Sequence, residues 1–208
     1  MATSVTDVAI HLEKNDYRLP GLAALLSGGF EIKAMLPCPL STLLVEQVGI
    51  PSDYLQNRLQ TLFLNGDPVD DVENTAVHAQ DTLALSAAMP GLVGATMRKQ
   101  GPLASLRRQL APSDSSSKKS ADGQGAVSIK LFNMVVGELG PIFLASGIVI
   151  PREALCSFIG TAGRSLKKMA RQIEVNKKTA TPGDLLSVLP SGQDIYLTIL
   201  AETVPVAH

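Results

Sequence analysis

Residues 111–125 offer too few apolar side chains to build a hydrophobic core. They carry Ser113, Ser115, Ser116, Ser117 and Ser120, the charged pair Lys118 and Lys119, and the glycines Gly123 and Gly125. No apolar face can be drawn through such a stretch, so it reads as a flexible linker. Just before it, Leu103, Leu106 and Leu110 recur at helical spacing, which predicts a short amphipathic helix. The 208-residue chain therefore divides into two halves of small-domain size. Aromatic residues make up only 4% and Trp is absent, so each half has to build its core from aliphatic side chains. A hydrophobic share of 45% permits that, and a charged share of 18% is too low for a largely disordered chain.

In the first half, residues 6–12 read as a strand with Val8 and Ile10 on one face. Residues 19–26 form a short helical connection closed by Gly28 and Gly29. Residues 30–36 alternate apolar and polar with period two, the mark of a half-buried strand. Leu40, Leu43, Leu44 and Val48 then fall at helical intervals, with Pro39 placed to start the helix and Gly49 to end it. Another short helix is expected at 52–59. Leu62, Phe63 and Leu64 run into Asn65-Gly66, a pair that tolerates positive φ and so favours a turn. Residues 81–87 form a last strand. The pattern is α+β, a mixed sheet covering one helix.

In this order and spacing the first half resembles the MoaD/ThiS-like sulfur carriers, the ubiquitin-like β-grasp family of molybdopterin synthase and thiamine biosynthesis. The quoted marks are Val48-Gly49-Ile50-Pro51, the strand ending Leu64-Asn65-Gly66, and the final strand introduced by Gln80-Asp81. They span residues 7–95. The second half is similar to the same pattern, more weakly. Residues 127–132 and 147–151 would be its first two strands, and 135–145 a Leu-rich connection. Residues 152–173 would form a helix that Gly160 and Gly163 interrupt. Val175-Asn176-Lys177 would be its turn and 192–197 its last strand. The resemblance implies two ubiquitin-like β-grasp domains in tandem, at 1–97 and 126–208, joined by a short helix and linker at 98–125.

In that family a flexible tail ending in Gly-Gly becomes a thiocarboxylate, and Gly is needed because a narrow partner channel excludes a β-carbon. The equivalent stretch here holds Met89, Pro90, Gly91, Leu92, Val93, Gly94 and Met97. Leu92 and Val93 replace small residues and the chain runs on past Gly94. The sequence ends Val204-Pro205-Val206-Ala207-His208, without glycine. These residues are expected to dock on a protein partner, such as a larger enzyme subunit or an adenylating enzyme, with apolar anchors at the centre. The expected role is a non-catalytic interaction module, a subunit or assembly factor of a molybdenum- or tungsten-pterin enzyme. The alternative is a precursor processed after Gly94 or Gly91 into a sulfur carrier.

Other chemistry is poorly represented. Cys38 and Cys156 are expected as small packed residues, since neither has a second Cys at metal-binding or redox spacing. His11, His78 and His208 lack a metal-ligand spacing. Asp67, Asp70, Asp71 and Glu73 read as a solvated loop without calcium-loop spacing. Gly160-Thr161-Ala162-Gly163-Arg164-Ser165 is weighed as an anion-binding helix start and, more simply, as a helix break. Arg164, Lys167, Lys168 and Arg171 would share one face of a helix, a patch for an anion or an acidic partner. Nucleic acid is not expected, because no aromatic residues interleave with the basic ones and the net charge is -1. No metal, cofactor or enzymatic activity is expected. Neither a membrane span nor a signal peptide is visible, and cytoplasm is the expected location.

Overall fold

The computed structural model describes residues 5–14, 16–87 and 123–201. It is mixed α+β, and its contacts divide it into two compact units. Neither unit is one continuous stretch. The first comprises Met1–Phe30 with Pro141–His208, and the second Glu31–Gly140. The sequence reading divides the chain at 98–125. The units instead take segments from both sides of that linker.

In the second unit, β2 (Phe30–Leu36) buries Ile32, Ala34 and Leu36 and exposes Glu31, Lys33 and Met35, as its alternation requires. The short pair β3 (Cys38–Pro39) and β6 (Ala76–Val77) is antiparallel. Two short helices follow β3, α2 (Thr42–Gln47) and α3 (Tyr54–Arg58), and both have π-helical winding. They bury Leu43, Leu44 and Leu55. A hairpin joins β4 (Thr61–Leu64) to β5 (Asp67–Pro68) through Asn65 at φ 54° and Gly66 at φ 93°, the positive values that this pair tolerates. The expected last strand is β7 (Thr82–Ser86). It lies antiparallel to β4 and parallel to β8 (Gly123–Phe132), so Gly123, Gln124 and Gly125, expected in the linker, are strand instead. Within this unit the strand order is β2-β8-β7-β4-β5.

The first unit holds β1 (Thr6–Leu12), with Thr6, Val8, Ile10 and Leu12 buried. After α1 (Leu22–Ser27), Gly29 at φ 94° turns the chain out of the helix, a conformation that favours glycine. The helix α4 (Val135–Ser146) spans the boundary between the units in sequence, and Pro141 lies inside it. Then come β9 (Ile148–Pro151), α5 (Arg152–Met169), β10 (Ala170–Val175), β11 (Lys178–Ala180), the single turn α6 (Leu185–Val188) and β12 (Asp194–Ala201). The strand order is β11-β10-β1-β12-β9, and only β1 and β12 are parallel. Leu155, Phe158, Ile159, Ala162 and Leu166 make the buried stripe of α5. Phe30 and Phe143 meet edge to face, with ring centroids 5.2 Å apart.

Two expectations about 152–173 are corrected. Gly160 and Gly163 do not interrupt the helix, which is continuous to Met169. A Cβ at either position would meet no neighbour, so each glycine costs only its propensity, about 1 kcal/mol, against a five-residue apolar stripe. The helix also stops before Ile173. From Ala170 the chain is strand, because Ile173 and Val175 alternate with period two and pair with Ile10 and Val8 of β1.

Each unit thus depends on a strand supplied from across the linker. Val127, Ile129 and Leu131 of β8 are 0% exposed, and so are Val8, Ile10 and Leu12 of β1. Burying three aliphatic side chains contributes roughly 5–9 kcal/mol, comparable to the whole stability of a domain. Fragments 1–111 and 121–208 are therefore expected to fold poorly when produced apart and to form a cooperatively unfolding complex when mixed. Urea unfolding of each fragment and of the mixture checks this. Two fragments that each unfold alone with the stability of the intact chain would contradict it.

Candidate functional site

In the second unit, an ionic cluster ties α3 to the start of α4. Tyr54 and Arg58 lie one helical turn apart on α3 and both reach Glu138. The Tyr54 hydroxyl donates to Glu138 Oε2. Arg58 donates from Nη2 to Oε1 at 2.5 Å and from Nε to Oε2 at 3.2 Å. This two-pronged contact, together with the Tyr54 hydrogen bond, holds the Glu138 carboxyl below its ordinary range. Burial, reinforced by the neighbouring carboxylate, pushes the Tyr54 hydroxyl well above its ordinary range. A phenol so shifted stays protonated at neutral pH and is a donor, not a base. The cluster is a clamp between two short elements.

Neither thiol is fully exposed. Cys38 is half-buried on β3, and Gln47 Nε2 donates to its sulfur at 3.3 Å. Burial raises the Cys38 pKa, so the reactive thiolate is scarce at neutral pH. Cys156 is half-buried on α5. In the acidic loop, Asp71 accepts from the amides of Glu73 and Asn74 and from the Asn74 side chain. That carboxylate organises its own turn. Among the described residues no three metal-ligating side chains come together. No helix among them is long and apolar enough to cross a membrane.

Of the basic residues expected to share one helix face, Arg164, Lys167 and Lys168 stand exposed near the end of α5. Arg171 lies beyond the helix, exposed on β10. Gly160–Ser165 is mid-helix, so its N–H groups are committed to intrahelical bonding and offer no anion-binding start. The expected docking residues Met89, Pro90, Gly91, Leu92, Val93, Gly94 and Met97 lie outside the described residues, following directly on β7.

A feature the sequence reading missed lies on the outward face of the second unit's sheet. The register sets Thr61 opposite Ser86 and Phe63 opposite Ala84. It then sets Thr82, Ala84 and Ser86 opposite Ser128, Lys130 and Phe132. These are the positions alternating with the buried Leu62, Leu83, Leu85, Ile129 and Leu131. Phe63, Thr82, Ala84, Ser86, Lys130 and Phe132 of this face, with Gly66 and Asn133, line an open cavity of about 420 Å³. Asn133, at φ 56°, donates from its amide to Ser86 Oγ at 3.3 Å. Thr61, only 1% exposed, has a hydroxyl with no hydrogen-bond partner. The first unit has a smaller hollow of about 260 Å³ between α1 and α5, lined mainly by small residues such as Gly28, Ala24 and Ala154. No charged side chain lines it.

Compared with protein-family models, with curated proteins and with solved structures, the chain has no significant match. Function has to be argued from its own residues.

The clamp carries a pH signature. A carboxyl whose folded pKa is depressed adds stability that is present above its ordinary value, 4.5 for Glu138, and is lost as pH falls through the folded value. Glu138→Gln is expected to cost about 0.5–1 kcal/mol at pH 7, since Arg58 is half exposed and screened by solvent. The difference from wild type should shrink at pH 3. Denaturant unfolding at the two pH values measures it, and a difference unchanged at pH 3 would count against the clamp.

Proposed function

We propose that this chain is a non-catalytic, MoaD/ThiS-like protein-interaction module that serves a molybdenum- or tungsten-pterin enzyme as a subunit or assembly factor. The observation that supports this reading most is the arrangement of the second unit. A central parallel pair, β7 and β8, is flanked by antiparallel strands, and two short helices bridge β2 and β4. A mixed sheet with helices between two of its strands supports the reading at the level of fold class, with β8 rather than the expected β1 beside the final strand. The docking role falls to Met89–Met97, and above all to Leu92 and Val93, whose side chains would bar a narrow sulfur-transfer channel. The partner is then a larger enzyme subunit or an adenylating enzyme.

The second reading, a carrier precursor cut after Gly94 or Gly91, is less well served by the fold. The strand β8 lies on the far side of both glycines, and its Val127, Ile129 and Leu131 are fully buried in the second unit. A carrier released there would lose the central strand that completes its sheet.

The test is intact-mass measurement of the protein purified from its native cell, with identification of what accompanies it. Full-length chain associated with a pterin-enzyme subunit or an adenylating enzyme is expected. Leu92→Asp should abolish that association and leave the unfolding curve unchanged. A fragment ending at Gly91 or Gly94, with one oxygen exchanged for sulfur, would establish the carrier reading instead.

A further inference from the structure

We infer that the cavity on the outward face of the second unit binds a small molecule with an apolar body and a single carboxylate, held by Lys130. The volume, about 420 Å³, falls in the ordinary range for small-ligand sites, roughly 300–1,000 Å³. The walls supply the apolar contact: Phe63 on β4, Ala84 on β7 and Phe132 on β8. Phe132 is 45% exposed, a large aromatic surface left to water on the sheet. The small side chain of Ala84, in register between Phe63 and Lys130, provides the floor. Polar groups gather at one end, where the Asn133 amide donates to Ser86 Oγ.

The charge of the ligand follows from the cavity's lining, in which Lys130 is the single charged side chain. Lys130 forms no ion pair among the described residues, and it lines the cavity. An ammonium beside an apolar wall attracts an anion more strongly than it would in open water, because the wall lowers the local dielectric. A single cation on the wall balances one negative charge and leaves the second charge of a ligand such as a phosphate ester uncompensated. One negative charge on an apolar body is the chemistry that matches both.

The experiment uses the full-length chain and two probes of the same shape, 2-naphthoate and the neutral 2-naphthylmethanol. Binding is followed by calorimetry and by backbone amide shifts. Naphthoate is expected to bind more tightly than the alcohol and to perturb the amides of Phe63, Ala84, Lys130 and Phe132. Lys130→Gln should weaken naphthoate roughly fivefold to tenfold and leave the alcohol unchanged, whereas Lys130→Arg should retain naphthoate binding. A second variant, Ala84→Phe, fills the floor and should remove both probes, with circular dichroism confirming the fold. Equal affinity of the two probes, insensitivity to Lys130→Gln, shifts centred elsewhere, or no binding at millimolar probe would each overturn the assignment.

Discussion

Two parallel strands cannot be joined by a tight turn, because the chain has to travel back along the whole strand before the second can start. In this protein β7 ends at Ser86, beside Phe132, and β8 begins at Gly123. Ser86 and Gly123 thus stand at opposite ends of β8, roughly 30 Å apart at about 3.3 Å per residue. The parallel β7–β8 pair completes the second unit's sheet, buries Val127, Ile129 and Leu131, and sets Lys130 and Phe132 beside Ala84. The core, the cavity and the argument against a released carrier all rest on it.

The individual elements were highly legible. The strands β1 and β2 occupy the residues their alternation marks, and Asn65-Gly66 turns as its chemistry requires. What the pattern does not encode is the neighbour. Val8, Ile10 and Leu12 present the same period-two apolar face as Val127, Ile129 and Leu131, so either strand can fill either slot on hydrophobicity alone. Alternation states which face is buried and is silent on which strand lies alongside. Helix ends behaved similarly. Ile173 continues the helical stripe of α5 and also begins the alternation of β10, and pairing with β1 decided between them.

The candidate site was legible only in fragments. Spacing set Arg164, Lys167 and Lys168 on one helix, as α5 does, but none of them lines the cavity. The cavity was invisible, because Phe63, Ala84 and Lys130 sit on three strands far apart in sequence and only the register assembles them. The available signal was a large apolar residue at an outward position on two strands, Phe63 on β4 and Phe132 two residues after Lys130 on β8, where a solvated face would carry polar side chains. The Tyr54–Arg58–Glu138 clamp was hidden for the same reason, since its carboxylate lies on the far side of the linker.

The account turns on β8 lying parallel to β7. Nuclear Overhauser contacts between their backbones measure this directly. Cross-peaks linking Leu83 with Ile129 and Leu85 with Leu131, in the pattern of parallel strands, are the expected result. Contacts placing β8 against β9 or β12 instead would contradict the exchange of strands across the linker, and with it the cavity and the proposed role.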